Sequence, residues 1–315
     1  MFGVMRVLVT GGTGYLGAAI VRALHARGHR PVAFARRASS SALPGVAIDG
    51  DIRDRAAVRL AADGVDAIVH AAALVSVWRP RAQEFDEVNV GGLHNVLETA
   101  RALGVGRIVY TSSFLARPPA GGARPMEAND YQRTKVRARD VALEAARAGM
   151  PVVILVPGVI YGPGPATEGN LVGRLLADHQ EGRLPGLIGA GRVWSYALVS
   201  DVADAHVTAV ERADVAGEYL LGGENAPQMR VFEIVRDLTG RPVPRRIPIP
   251  VAYAAATVAE ARARWLGHPP LLTRGVVDIF RRDWSMDSDR SIRELSYRIT
   301  PLREGIRRMV TNVRS

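Results

Sequence analysis

An apolar run, Val7 to Thr10, passes without a break into Gly11-Gly12-Thr13-Gly14-Tyr15-Leu16-Gly17 and then into a helical pattern. A strand that turns straight into a helix has no room for side chains at the turn. Glycines at 11, 14 and 17 let the backbone bend tightly, approach a pyrophosphate closely and pack the helix onto its sheet. The unpaired N–H groups of the helix start then face the phosphates. A plain strand-to-helix turn has the same glycines. What favours dinucleotide binding is the setting, an N-terminal strand followed at the expected distance by a second strand. Gly11, Thr13, Gly14, Tyr15, Leu16 and Gly17 are the candidate contacts.

Further buried-strand patterns follow at Pro31–Ala35, Ala67–His70, Arg107–Ser112 and Val152–Val156, nearly continuous in Val, Ile and Leu. Such runs suit a parallel sheet covered on both faces. Helical patterns lie between them, among them Gly17–Arg27 before Gly28 and Gly91–Leu103 before Gly104, with glycine where a helix C-cap takes a left-handed residue. Strand and helix in alternation predict an α/β fold, a doubly wound parallel sheet of the Rossmann type. After Tyr161 comes the turn cluster Gly162-Pro163-Gly164-Pro165, and prolines recur towards the C-terminus. The expected organisation is a dinucleotide-binding domain over 1–161, with 190–226 returning to the sheet. A smaller, discontinuous C-terminal substrate domain takes 162–189 and 227–315.

Composition narrows the chemistry. With no cysteine among 315 residues, disulfides and thiolate catalysis are excluded. Seven histidines without metal-ligand spacing give no metal site. No run of 18 apolar residues exists, so no integral membrane segment is predicted, and the N-terminus reads as a strand, not a signal peptide. The expected location is the cytoplasm. The net charge of +10 raises the question of nucleic acid. The arginines are only paired, however, with carboxylates interleaved, so a solvated basic surface without nucleic acid is expected. Of 41 basic residues, 40 are arginine and one is lysine, Lys135.

The second strand ends Val32-Ala33-Phe34-Ala35-Arg36-Arg37, without the carboxylate that would hold the ribose 2′-hydroxyl of NAD. Two guanidiniums suit a 2′-phosphate, so Arg36 and Arg37 favour NADP(H), with NAD(H) left open. In Gly50-Asp51-Ile52, Asp51 and Ile52 are placed for the adenine, although Asp51 equally suits a cap on the following helix.

Several stretches together resemble the extended short-chain dehydrogenases/reductases, the NAD-dependent epimerase/dehydratase family. They are TGGTGYLG, GDIRD, HAAALV, NVGGLHNVLETA, YTSSFLA, YQRTK, PGVIYGPG and the C-terminal DSDRSIRELSYRITPLREGI. The resemblance covers nearly the whole chain and is nearest to dihydroflavonol-reductase-like and farnesol-dehydrogenase-like members. Tyr131 and Lys135 stand at i and i+4, on one face of a helix. A free phenol near pKa 10 is too weak a base at neutral pH, and an adjacent ammonium is expected to lower that value. The resemblance implies Tyr131 as acid or base, Lys135 as its partner, and Ser113 on the substrate oxygen, with Ser112 the lesser candidate. It also implies cofactor contacts from Ala71, Ala72, Ala73, Thr111, Tyr131, Lys135, Pro157, Val159 and Ile160. Asn89 would support the active-site backbone, and an N-cap accounts for it almost equally well.

Members of this family run different reactions. Sugar-nucleotide enzymes usually carry a basic stretch before the returning strand, where this chain has the aromatic Arg192-Val193-Trp194-Ser195-Tyr196-Ala197. The segment between Ser113 and Tyr131 also lacks an extra acid–base pair for dehydration. Trp194, Tyr196, Trp265 and the apolar helix Val251–Ala259 suggest a hydrophobic pocket, with core packing the alternative. The leading expectation is hydride transfer between NADP(H) and a hydrophobic ketone, aldehyde or secondary or allylic alcohol. The alternatives are a nucleotide-sugar epimerase or dehydratase that keeps NAD bound, and a non-catalytic dinucleotide-binding regulator. A small hydrophobic substrate and a homodimer are the expected partners.

Overall fold

The computed structural model describes residues 3–266, 269–270 and 272–312. Twelve strands occur along these residues: β1 (Arg6–Thr10), β2 (Arg30–Ala35), β3 (Val46–Asp49), β4 (Ala67–His70), β5 (Arg107–Thr111), β6 (Val152–Pro157), β7 (Val159–Tyr161), β8 (Leu187–Ile188), β9 (Val193–Leu198), β10 (Gly217–Leu221), β11 (Glu224–Pro227) and β12 (Arg246–Ile247). Seven of them form one parallel sheet in the order β10-β6-β5-β4-β1-β2-β3. The order reverses between β1 and β4, the crevice where such sheets bind ligands.

The helices are α1 (Tyr15–Ala26), α2 (Arg55–Ala61), α3 (Gln83–Asp86), α4 (Gly92–Leu103), α5 (Asp130–Arg147), α6 (Leu171–Gln180), α7 (Val199–Glu211), α8 (Gln228–Thr239), α9 (Ile249–Leu266), α10 (Arg274–Phe280), α11 (Asp289–Leu295) and α12 (Leu302–Asn312). Residues of α1 and α7 such as Ile20, Leu24, Val202 and Val207 bury one face of the sheet. The other face is covered from α2, α4 and α5 by Val58, Val96, Ala138 and Ala142. With both faces covered, the strands are as apolar as their sequence: Val7, Leu8 and Val9 are fully buried. Gly28 and Gly104 take the left-handed conformation just after α1 and α4, as read from the sequence.

The returning segment divides. β10 joins the main sheet beside β6, whereas β9 pairs with β7 and β11 in a separate three-stranded sheet. A third apolar cluster packs on that small sheet from α6, α8 and α12.

Candidate active site

The glycine loop forms the floor of the crevice. Gly11 has φ +71°, and a Cβ there would sit 2.7 Å from Ala72 Cα. A Cβ on Gly17 would collide with the Gly11 carbonyl oxygen. Positions 11 and 17 therefore accept no side chain, and the loop is held down by Gly11 N–H donating to Phe34 O at 2.8 Å. No side chain caps α1, and its first turn carries no acid, so the dipole end stays open to an anion. Tyr15 is spent differently: its hydroxyl donates to Gly162 O at 3.0 Å, tying the loop to the Gly-Pro turn. Leu16 packs partly into the core and Thr13 is exposed. Ala71 N–H donates to Thr10 O, and Ala72 and Ala73 continue along the crevice from β4.

Arg36 and Arg37 follow β2, both exposed and, among the described residues, in no ion pair. Asp51 does not cap the next helix. Asp54 does, accepting from Ala56 and Ala57 N–H at 2.9 and 3.2 Å. Asp51 is instead gripped by Arg53 at 2.7 and 3.0 Å, which holds its carboxyl below the usual range. Ile52 beside it is buried against Gly92. A cradle that excludes a Cβ at Gly11 and Gly17 and an uncapped helix start fit the pyrophosphate of a dinucleotide.

Ser113, Tyr131 and Lys135 come together from β5 and α5. Asn129 caps α5 by accepting from Gln132 N–H, which fixes where the helix begins and so where Tyr131 points. The Ser113 hydroxyl faces the Tyr131 phenol and accepts from Leu115 N–H at 3.2 Å. The Ser112 hydroxyl is buried and faces the Tyr110 phenol without a close hydrogen bond. Lys135 is 3% exposed, and its Nζ donates to Thr111 O at 2.9 Å and to the Tyr110 hydroxyl at 3.5 Å. Here the electrostatics differ from the sequence reading. Burial pushes the Tyr131 phenol above its ordinary value, opposed only by Ser113. Burial also pushes the Lys135 amine down to about 7. The ammonium is turned to a backbone carbonyl rather than the phenol, so shared helix face alone does not lower the tyrosine.

The comparisons with known proteins bear on this geometry. The model of the NAD dependent epimerase/dehydratase family matches residues 7–222. The chain belongs to this family. Among relatives, it is 36% identical to the sterol demethylase protein B of Methylococcus capsulatus, over 92% of this chain and 93% of that one. It is 33% identical to the 2-alkyl-3-oxoalkanoate reductase of Stenotrophomonas maltophilia, over 97% and 98% of the two chains. The solved UDP-glucose 4-epimerase of Thermus thermophilus, in complex with NAD, superposes with a TM-score of 0.75 at 26% identity, covering 99% of both chains. The family is one of NAD-dependent oxidoreductases and epimerases.

Within this family member the remaining positions fall out as follows. Val159 and Ile160 lie in β7, paired with Tyr196 and Ala197, and Pro157 closes β6 beside Leu221. Asn89 is no N-cap. It sits in a π-helical turn, Glu87–Gly91, inside the continuous run from α3 to α4. Its Oδ1 accepts from Leu74 N–H at 2.7 Å, and its Nδ2 donates to Leu74 O at 3.3 Å and Thr134 Oγ1 at 2.9 Å. π turns are frequent at functional sites because the extra residue re-aims a side chain.

The apolar wall is only partly the expected one. Trp265 is 88% exposed and lines nothing. α9 buries Ala252 and Ala256 against Val277 while Val251 and Val258 face outward. Trp194 and Tyr196 are core residues. Trp194 packs tilted on Phe114 at 6.2 Å and edge-on to Phe280 at 4.8 Å, and Tyr196 meets Tyr161 at 6.3 Å. Phe114, Met126 and Tyr131 itself pack partly exposed against this cluster. Sequence reasoning missed Phe114, Met126, Trp284 and Gln132. Gln132 is fully buried, donating to Leu115 O at 3.1 Å and accepting from Ala128 N–H at 3.0 Å, so it joins the serine loop to the tyrosine helix. Its place beside Tyr131 was the only signal.

Proposed function

We propose that this protein is a reductase or dehydrogenase acting between NADP(H) and a hydrophobic ketone, aldehyde or secondary or allylic alcohol. One observation carries the reading: the Tyr131 phenol faces the Ser113 hydroxyl and packs, with Phe114 and Met126, at the partly exposed edge of an apolar cluster. Such a surface receives an apolar carbonyl compound and offers little to a sugar diphosphate. The relative named for a 3-oxoalkanoate reduces an oxo group on an alkyl chain, which agrees with that chemistry.

In this reading the cofactor supplies the hydride in reduction and takes it in oxidation. The chain does the rest. Ser113 donates to the substrate oxygen and fixes its position. Tyr131, whose proton is held tightly by burial, gives that proton to the oxygen as negative charge develops there. Lys135, its amine pushed down to about 7 by burial, brings a group that exchanges a proton near neutral pH close to the site. Arg36 and Arg37 would hold the 2′-phosphate, while the glycine loop and the start of α1 would hold the pyrophosphate.

The test is cofactor consumption with NADPH and NADH over hydrophobic ketones, aldehydes and prenyl alcohols, for the wild type and Tyr131→Phe. The expected outcome is turnover with NADPH that disappears in the variant while cofactor binding persists. Turnover retained in Tyr131→Phe would sink the mechanism. A nucleotide-sugar epimerase is the second reading, favoured by the architecture shared with UDP-glucose 4-epimerase. It requires oxidised NAD to co-purify with the protein and no net cofactor consumption.

A further inference from the structure

Lys135 is a buried amine in no ion pair among the described residues. The titratable groups facing it are Tyr110, whose ring centroid lies 5.1 Å from Nζ, Tyr131, and His70, which stacks on Tyr110 at 5.8 Å. None of them supplies negative charge at neutral pH. A buried cation in such surroundings depends on the carbonyls that accept from it. Its one short bond is to the Thr111 carbonyl oxygen, at 2.9 Å.

What holds Thr111 comes from the other side of the sheet. His206, on α7, is fully buried, with Nδ1 at 2.7 Å from Val202 O and Nε2 at 3.0 Å from Thr111 Oγ1. A carbonyl oxygen only accepts, so Nδ1 carries the proton. Burial pushes the ring down to about 4, so it is neutral and Nε2 has a bare lone pair. The Thr111 hydroxyl therefore donates to Nε2. Threonine is stiff at χ1, so a held Oγ1 restrains the Thr111 Cα, next to the peptide unit whose other end, Ser112 N–H, donates to Leu155 O at 2.8 Å. From α7 through β5 to α5, three bonds run in series: Val202 O to His206, His206 to Thr111, Thr111 O to Lys135 Nζ.

We infer that His206 is a positioning residue for Lys135, acting through Thr111. The inference rests on the proposed role of Lys135 near Tyr131. It assigns to α7, which touches neither nicotinamide nor substrate in that proposal, a share in placing the amine. A purely packing histidine would stabilise α7 on the sheet without any effect on the lysine.

The chain has a single lysine, so protein labelled with 13Cε-lysine gives one side-chain signal, and Lys135 is titrated directly without any substrate. The set is wild type, Thr111→Val, His206→Phe, His206→Gln and the Thr111→Val/His206→Phe double variant. Thr111→Val is isosteric and keeps the experiment alive should His206→Phe fail to fold. The expected result is a displacement of the Lys135 midpoint by more than about half a pH unit in Thr111→Val and His206→Phe. The double variant shows no further displacement, because both changes cut one chain of bonds. In His206→Gln the side-chain amide oxygen accepts from Thr111, and the midpoint returns to the wild-type value. With a carbonyl substrate, kcat falls about tenfold in the first two while KM stays within about twofold. A Lys135 titration unchanged across folded variants, with only Tm moving, overturns the inference. Absence of carbonyl turnover in the wild type overturns the proposed reaction instead, and the lysine titration still decides this point.

Discussion

Asn89 holds Leu74 by both ends of its backbone: the amide oxygen accepts from Leu74 N–H at 2.7 Å and the amide nitrogen donates to Leu74 O at 3.3 Å. The same nitrogen reaches Thr134 on α5 at 2.9 Å, one residue before Lys135. One buried side chain thus locks the loop after β4 to the helix that carries Tyr131. Asn89→Leu strands both Leu74 groups, at a cost of about 2–4 kcal/mol, while the Thr134 hydroxyl keeps its bond to Asp130 O. Asn89→Asp keeps the acceptor for Leu74 N–H but places oxygen against the Leu74 carbonyl. Both variants are expected to lower Tm and reduce turnover at least tenfold, measured by thermal denaturation and steady-state kinetics. Unchanged turnover in a folded Asn89→Leu would show that the lock is dispensable.

The adjacent serines are expected to behave oppositely. Ser113 faces the Tyr131 phenol, whereas Ser112 faces that of Tyr110 without a close hydrogen bond. Ser112→Ala is therefore expected to change stability by less than about 1 kcal/mol and to leave turnover nearly intact. In the proposed mechanism Ser113→Ala removes a donor to the developing oxyanion and is expected to lower kcat about 10²-fold. Kinetics of the two alanine variants side by side check this, and equal losses would contradict the assignment.

How legible the molecule was depends on whether a position is dictated locally. The glycine loop, the order of strands and the Tyr131–Lys135 spacing are set by short-range sterics and periodicity, and the sequence displays both. Asn89 and Asp51 had two equally local readings, and in each case a competing partner decided. Asn89 turned to the backbone of Leu74, and Arg53 took Asp51 and left the cap to Asp54. Trp265 was misplaced because an aromatic has no periodic signature of its own, and α9 is apolar on both its buried and its outward face. The lowered tyrosine expected from Lys135 failed for the same kind of reason. Helical spacing fixes the face, while the direction of a long flexible side chain is fixed by Thr111, 24 residues away.

Cofactor preference turns on Arg36 and Arg37, exposed at the end of β2. If they hold a 2′-phosphate, Arg36→Ala/Arg37→Ala raises the KM for NADPH by about 10–100-fold and leaves that for NADH within about threefold. The effect on NADPH shrinks as salt rises, since both groups are solvent-exposed. KM values for the two cofactors at low and high ionic strength measure this. Equal rises for both cofactors would place the arginines elsewhere than on the 2′-phosphate.

Lys135 is expected to be retained at the expense of stability. Its pKa falls from the ordinary 10.5 to about 7 on folding, so between these values the unfolded chain binds the proton and the folded chain does not. Stability therefore rises with pH across this window, by up to about 5 kcal/mol from this one group. Below pH 7 the fold bears the whole cost, because both states are then protonated. Lys135→Met keeps the length of the side chain without the charge. It is expected to be more stable than wild type at pH 7, to converge with it near pH 10, and to lose turnover at both. Urea denaturation of the two proteins at pH 7, 8.5 and 10 measures the difference directly. Parallel curves at all three values would mean that the amine carries no burial penalty, and the sole lysine of the chain would then need another reason for not being arginine.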